Sequence, residues 1–115
     1  MSQWSEIAAT ISIDTKKEFK ITTQGKKEML KYVNSFIKKA PKITGSEMDA
    51  DVFVNIKSDF NIIDVDGTEL TTQAVITVYG LLRDRDIYRT NEEWVQFITY
   101  LQSMVDVGFI SVNIR

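Results

Sequence analysis

The chain has 115 residues, a length that fits one domain with its own hydrophobic core. It contains neither histidine nor cysteine, which excludes disulfides, thiolate nucleophiles, zinc ribbons and iron–sulfur ligation. The formal net charge of −2 gives no general attraction to nucleic-acid phosphates, and no apolar run is long enough for a signal peptide or a membrane span. We expect one cytoplasmic domain over residues 1–115, outside the membrane and without a metal or cofactor.

In the first third of the chain, apolar residues repeat first at every second position and then at every third or fourth position. Apolar and polar residues alternate over 9–13 and again over 19–22, with the turn-like segment 14–17 between them, which predicts an N-terminal hairpin. From Lys26 to Ala40 the apolar residues recur at spacings of three and four, which predicts an amphipathic helix before Pro41. The stripe consists of Met29, Leu30, Val33, Phe36, Ile37 and Ala40.

The middle of the chain resembles a series of strands. Residues 52–56 alternate as a strand does, and Phe60 to Val65 continues in extended form. Asp66-Gly67 supplies residues that tolerate positive φ in a tight turn. The following segment, Leu70 to Leu82, has apolar residues on both faces, which predicts a central position in the sheet.

A second helix and a final strand complete the order. Thr90 and Glu93 have the spacing of a capping box, and Gly108 fits the end of the helix. The apolar face between them consists of Trp94, Phe97, Ile98, Leu101 and Val105. Residues 109–114 then predict a strand whose inward positions are Ile110, Val112 and Ile114.

This order of elements is that of an α+β fold. It resembles the ferredoxin-like βαββαβ arrangement, with a mostly antiparallel sheet, two helices on one face and an extra N-terminal strand or hairpin. That architecture hosts many unrelated activities, so the resemblance implies a fold and no function.

One short motif has chemical content. The segment Asp64-Val65-Asp66-Gly67-Thr68 follows an apolar run and resembles the D-x-D-G-T signature of the haloacid dehalogenase superfamily. The resemblance implies Asp64 as a phosphoryl-accepting nucleophile, Asp66 as general acid and base, and Mg²⁺ to offset the charge. The motif lies mid-chain, however, and a strand rather than a crossover helix follows it, so we favour a hairpin turn.

Charge is distributed unevenly along the chain. Nine of the ten lysines precede residue 43, and Lys27, Lys31 and Lys38 share roughly one outward face of the first helix. Nucleic-acid binding through this region is therefore one alternative, although the strands lack the aromatic pattern of sheet-based RNA-binding modules. The other interpretation is a solvated helix face.

A mixed charged segment before the second helix is a candidate contact site. Arg83, Arg85, Tyr88 and Arg89 are of residue types that dominate binding hot spots, and Trp4 is an aromatic residue in the N-terminal segment. Exposed local ion pairs and a folded-back tryptophan are the alternative explanation.

Taken together, these features favour a non-catalytic protein-binding domain of the inhibitor, immunity or accessory type, with another protein or a second copy as partner. The first alternative is a homo-oligomeric structural subunit of a viral or cellular assembly, pairing through its terminal strand or N-terminal hairpin. The others are a nucleic-acid-binding module and a Mg²⁺-dependent phosphatase-like enzyme using Asp64 and Asp66.

Overall fold

Two helices and a five-stranded antiparallel sheet make up the chain in a computed structural model that describes residues 3–59 and 62–115. The elements are β1 (Trp4–Lys20), α1 (Thr23–Ile37), β2 (Asp51–Ile56), β3 (Ile62–Ile63), β4 (Glu69–Arg83), α2 (Ile87–Met104) and β5 (Asp106–Ile114). The predicted α+β class is confirmed. Neither α1 nor α2 combines the length and the apolar content that crossing a membrane requires. Phe60 and Asn61, which begin one predicted extended segment, lie outside the described residues.

The sheet has the strand order β2-β4-β1-β5, and the short strand β3 pairs with β4. All pairs are antiparallel. The two long strands β1 and β4 form the centre, so the central position predicted for residues 70–82 is confirmed. Strands β2 and β5 are the outer strands on this path.

The predicted N-terminal hairpin is wrong, because β1 is one long strand. Its register with β4 shifts between Asp14 and Phe19, where β1 carries extra residues. Lys16 takes a positive φ of 60°, and its backbone N–H donates to the Asp14 carboxylate at 2.8 Å. The buried Thr15 hydroxyl donates to the Thr72 carbonyl of β4 at 3.1 Å. These turn-forming residues therefore form a β-bulge, and β1 pairs antiparallel with β4 on both sides of it.

Helix α1 is confirmed as an element, although it begins and ends before the predicted limits. Thr22 has an extended backbone, and its hydroxyl accepts a hydrogen bond from the Gly25 N–H at 3.0 Å, which caps the helix. Met29, Val33 and Phe36 are buried, as their three- and four-residue spacing predicts. The opposite side of α1 faces solvent.

The predicted capping box of α2 is wrong, because the helix begins earlier, at Ile87. Asp86 is the N-cap, and its carboxylate accepts from the Arg89 N–H at 2.7 Å. Thr90 instead lies one turn inside the helix, where its buried hydroxyl forms a 2.5 Å hydrogen bond with the Ser5 hydroxyl of β1. Both candidate caps are of residue types that start helices, and Asp86 has the extended backbone that a cap needs.

Gly108 does not end α2, contrary to its predicted role, since the helix ends at Met104 and Gly108 lies within β5. The register of β5 with β1 shifts beside it, and the Phe109 N–H donates to the Ser12 hydroxyl at 2.6 Å. A Cβ atom at Gly108 would lie 2.9 Å from the same hydroxyl oxygen. This glycine therefore permits a close approach of strands at a bulge.

The final strand is confirmed, but its burial is not as predicted. Ile110 and Val112 are opposite Ile11 and Ala9 of β1, on the side that carries the helices, yet they remain 37% and 42% exposed. Ile114 is half-buried and packs against the core. An outer strand has a neighbour on one side only, which leaves these side chains partly uncovered.

The hydrophobic core lies between the helices and one face of the sheet. The strands contribute residues at every second position, and α1 and α2 supply the facing layer. Its fully buried members include Ile7, Ile11, Ile76, Val78, Leu82, Met29, Val33 and Leu101. Because both helices pack on this face, the other face of the sheet stays uncovered in the described chain.

Candidate binding surface

The uncovered sheet face is formed by the alternate residues of four strands. On β1 the odd positions 7–13 enter the core, so the even positions point the other way. The strand register sets these residues in rows across the face. One row reads Asp51, Tyr79, Ala8 and Asn113, and the next reads Phe53, Thr77, Thr10 and Ser111. The residues in the middle of these rows, such as Ala8, Thr77 and Thr10, have small side chains, so a partner can approach this face closely.

Four large side chains form what we name the open-face cluster: Trp4, Phe53, Tyr79 and Leu81. Each is between 44% and 55% exposed. Phe53 is diagonal to Tyr79 in the register, Tyr79 and Leu81 are same-face neighbours in β4, and Leu81 is diagonal to Trp4. Diagonal neighbours in a sheet are within reach of aromatic side chains. The cluster is therefore one continuous apolar track across three strands.

Paired charges surround this cluster. The Arg83 guanidinium lies 6.0 Å from the centre of the Trp4 ring and forms an ion pair with Glu47. Glu6 accepts from the Arg115 Nε at 3.0 Å and lies 3.5 Å from the Tyr79 hydroxyl. The rim of the cluster thus includes two ion pairs, Arg83 with Glu47 and Arg115 with Glu6. The Asp51 carboxylate also lies at this rim, opposite Tyr79 in the register, while the centre of the cluster is apolar.

The predicted contact residues do not form one site. Trp4 and Arg83 meet at the end of the open-face cluster. Arg85 and Arg89 instead lie beside the loop after α1, where the Arg85 Nε donates to the Thr44 hydroxyl at 3.3 Å. Arg89 pairs with Glu93 at 3.5 Å.

Glu93 itself connects two parts of the chain. Its carboxylate accepts from the Thr44 N–H at 2.8 Å and from the Thr44 hydroxyl at 2.6 Å. This contact joins α2 to the segment between α1 and β2. Arg85 and Arg89 therefore contact the two residues of this link, Arg85 through the Thr44 hydroxyl and Arg89 through the Glu93 carboxylate.

Tyr88 occupies a third location, at the start of α2 near β5. It is 82% exposed and lines a shallow cavity with Ile87, Asn91 and Ile114. Its ring is thus close to the edge of the sheet and separate from Trp4 in the fold. The structure thus brings the residues that the sequence grouped into two separate pairs, Trp4 with Arg83 and Arg85 with Arg89, and Tyr88 belongs to neither.

The lysines of the first third of the chain occupy different environments. Lys27, Lys31 and Lys38 are exposed on the solvent side of α1. The Lys17 ammonium lies 5.0 Å from the Tyr32 ring centre and 5.5 Å from that of Phe19, which are cation–π contacts within the fold. The aromatic residues of α1 pack within the fold, since Phe36 is buried and the Tyr32 ring contacts those of Phe19 and Phe36.

The motif that resembles a phosphatase signature forms a turn between β3 and β4. The Asp64 carboxylate accepts from the backbone N–H groups of Asp66 and Thr68, both at 2.9 Å. Gly67 adopts φ 80°, the left-handed conformation that a glycine takes without strain. The favoured interpretation of this segment as a turn is therefore confirmed. Within the described residues, no three acidic side chains converge as metal ligands.

The open-face cluster was not recognised from the sequence, although a signal for it exists. Residues of both parities in β4 are apolar, which predicted burial on both faces. The sequence predicts two helices, and the ferredoxin-like arrangement places both on one face of the sheet. One of the two sets of alternate residues in β4 was therefore a candidate for an exposed face, and the structure shows that it is the set with Tyr79 and Leu81.

Comparison with known proteins gives no family for this chain. A scan against protein-family models produces no match. A search of the curated proteins produces none either.

Proposed function

We propose that this chain is a non-catalytic protein-binding domain whose contact surface is the uncovered sheet face. The observation that carries the proposal is the open-face cluster, which keeps four large apolar side chains about half exposed in a continuous track. Contiguous exposed apolar surface rimmed by polar groups is typical of a protein–protein interaction site. Tryptophan and tyrosine are also enriched among the residues that dominate binding energy.

The shape of the face favours a protein over a small ligand. A sheet face without covering helices is broad, whereas small-molecule sites are concave and bury most of their ligand. Small residues such as Ala8, Thr10 and Ser111 lie beside the cluster on β1 and β5. A partner element could therefore lie against the sheet with Trp4 and Phe53 at the two ends of the contact.

The same proposal includes the ferredoxin-like arrangement, with β3 as an addition to it. Support comes from the antiparallel pairing of all neighbouring strands and from the placement of α1 and α2 on one face. We also propose a cytoplasmic location, which suits a chain that has no cysteine to oxidise. Neither statement specifies a partner, because this architecture serves many functions.

Site-specific photo-crosslinking in the cell of origin tests the proposal. A photoreactive phenylalanine analogue at Phe53 or at Leu81 is expected to capture a defined partner protein. The matched positions Met48 and Val65 are also exposed and apolar but lie outside the cluster, so the analogue there is expected to capture little. Introducing Tyr79→Glu at the centre of the cluster is expected to lower capture at Phe53 by about tenfold or more, because a charge would be buried in the contact.

Equal capture at the four positions would contradict the proposal, as would the absence of any crosslink at Phe53 and Leu81. A Phe53 crosslink that persists undiminished in the Tyr79→Glu background would place the contact elsewhere. Circular dichroism on each purified variant checks that the fold is retained.

A further inference from the structure

We propose that the outer edge of β5 pairs antiparallel with the same edge of a second copy of this chain, around a twofold axis at Val112. This surface contains none of the four residues of the open-face cluster, and the inference does not depend on that cluster. In the described chain, β5 ends the sheet path and no strand lies beyond it. Long, uncharged edge strands are ready templates for pairing. β5 runs from Asp106 to Ile114 without proline or lysine, and Asp106 is its only charged residue.

The backbone geometry identifies which groups point outward. Arg115 and Glu6 exchange two hydrogen bonds, with the Glu6 N–H donating to the Arg115 carbonyl at 2.6 Å and the Arg115 N–H donating back at 3.0 Å. In an antiparallel ladder such pairs recur at every second residue, so Asn113 and Ser111 also face β1. The N–H and C=O groups of Ile110, Val112 and Ile114 therefore point away from the sheet.

Three outward residues at even spacing make this edge complementary to itself. An antiparallel copy that uses all three places Val112 opposite its own equivalent and Ile110 opposite Ile114 of the second copy. A twofold contact of this kind joins the same surface on both chains. The two sheets would then continue into one another.

The side chains agree with this register on both faces. On the helix side, Ile110, Val112 and Ile114 would contact the same three residues of the second copy. Ile110 and Val112 are partly exposed in the single chain, so this contact would bury apolar surface. On the uncovered side, the same register sets Phe109, which is 66% exposed, opposite Arg115 of the second copy. A guanidinium over an aromatic ring is an attractive contact, and no like charges face each other. The opposite edge strand β2 is shorter, with 6 residues against 9 in β5.

Helix α2 would enlarge the contact beyond the strands. Stable interfaces bury roughly 800 Å² on each partner, more than one short strand supplies. Ile87, Asn91 and Val95 lie at four-residue spacing along α2, and Ile87 and Asn91 line a cavity with Ile114 of β5. Ile87 and Val95 are about half exposed, and Tyr88 is more so. The twofold axis would bring the two α2 helices together over the joined strands, covering these side chains.

Light scattering after size-exclusion chromatography is the first test. The wild-type chain has a mass of 13.2 kDa, and at tens of micromolar light scattering is expected to give a molar mass of twice that value. Val112→Lys sets two lysines face to face at the axis and is expected to give the monomer mass. Val65→Lys, the same substitution on the exposed turn between β3 and β4, is the matched control and is expected to stay dimeric. A monomeric wild-type chain, or a Val112→Lys variant that remains dimeric, would overturn the proposal.

Disulfide trapping tests the register, and the absence of native cysteine makes each introduced thiol unique. Val112→Cys is expected to form a disulfide-linked dimer readily, since directly opposite residues have the Cα separation that a disulfide needs. Ile110→Cys alone should not link to itself, because its counterpart is about 14 Å away along the strand. A mixture of Ile110→Cys and Ile114→Cys should link heterotypically. Val65→Cys, fully exposed on the turn, controls for random collision, and equal linking there would refute the pairing.

Discussion

Leu81 and Leu82 are neighbours in β4, but they lie in opposite surroundings. Leu82 is 0% exposed beneath the helices, whereas Leu81 is 51% exposed on the uncovered face. The alternation of a strand assigns each residue to one of two faces. Whether a face is covered depends on where the helices pack, which is a property of the whole chain. The comparison separates residues that hold the fold together from residues available to a partner.

The largest expected effect uses this matched pair directly. Leu82→Ala removes a fully buried side chain and leaves a cavity, so we expect a loss of about 2–5 kcal/mol in the free energy of unfolding. Leu81→Ala is expected to cost less than about 1 kcal/mol, because half of that side chain is already in water. Urea denaturation at one protein concentration measures both changes. Equal costs at the two positions would contradict the assignment of the faces.

The elements of the fold follow largely from local sequence patterns. The spacing of Met29, Val33 and Phe36 predicts α1, and the apolar run of β4 predicts a central strand. Coverage of the faces could not be predicted in the same way, since Tyr79 and Val78 are both apolar and only tertiary packing distinguishes them. The spacing of apolar residues indicates which residues share a face of a helix or strand, but it does not indicate what packs against that face.

Turn-forming residues were the other source of error, and for a related reason. Asp14-Thr15-Lys16-Lys17 and Asp64-Val65-Asp66-Gly67 both contain an aspartate that accepts from a backbone N–H two residues later. The first makes a bulge within β1, whereas the second reverses the chain between β3 and β4. The two segments share this hydrogen bond, but Asp64 also accepts from the Thr68 N–H, which closes the turn. In the first segment, β1 stays paired with β4 on either side of the bulge.

A polar contact on the covered side gives an intermediate effect. Ser5 and Thr90 are buried and their hydroxyls bond to each other, which ties the start of β1 to α2. Thr90→Val keeps the shape of the side chain but leaves the Ser5 hydroxyl without this partner, so we expect a loss of about 1–3 kcal/mol.

The matched control for this change is Thr99→Val, at an exposed position of the same helix, which is expected to alter stability by less than about 0.5 kcal/mol. A double variant with Ser5→Ala should recover part of the loss in Thr90→Val, because removing both hydroxyls leaves none buried alone. Additive losses in the double variant would show that the two hydroxyls do not depend on each other.

The smallest expected effect on stability is Tyr79→Phe on the uncovered face. The hydroxyl lies 3.5 Å from the Glu6 carboxylate in an exposed position, so its removal should change the free energy of unfolding by less than about 0.5 kcal/mol. The same variant sharpens the account of binding, because it keeps the aromatic ring in the open-face cluster. Capture of a partner at Phe53 should survive Tyr79→Phe and be lost in Tyr79→Glu. If Tyr79→Phe alone abolished capture, the hydroxyl would be the group that the partner recognises, and the apolar track would not be the basis of the contact.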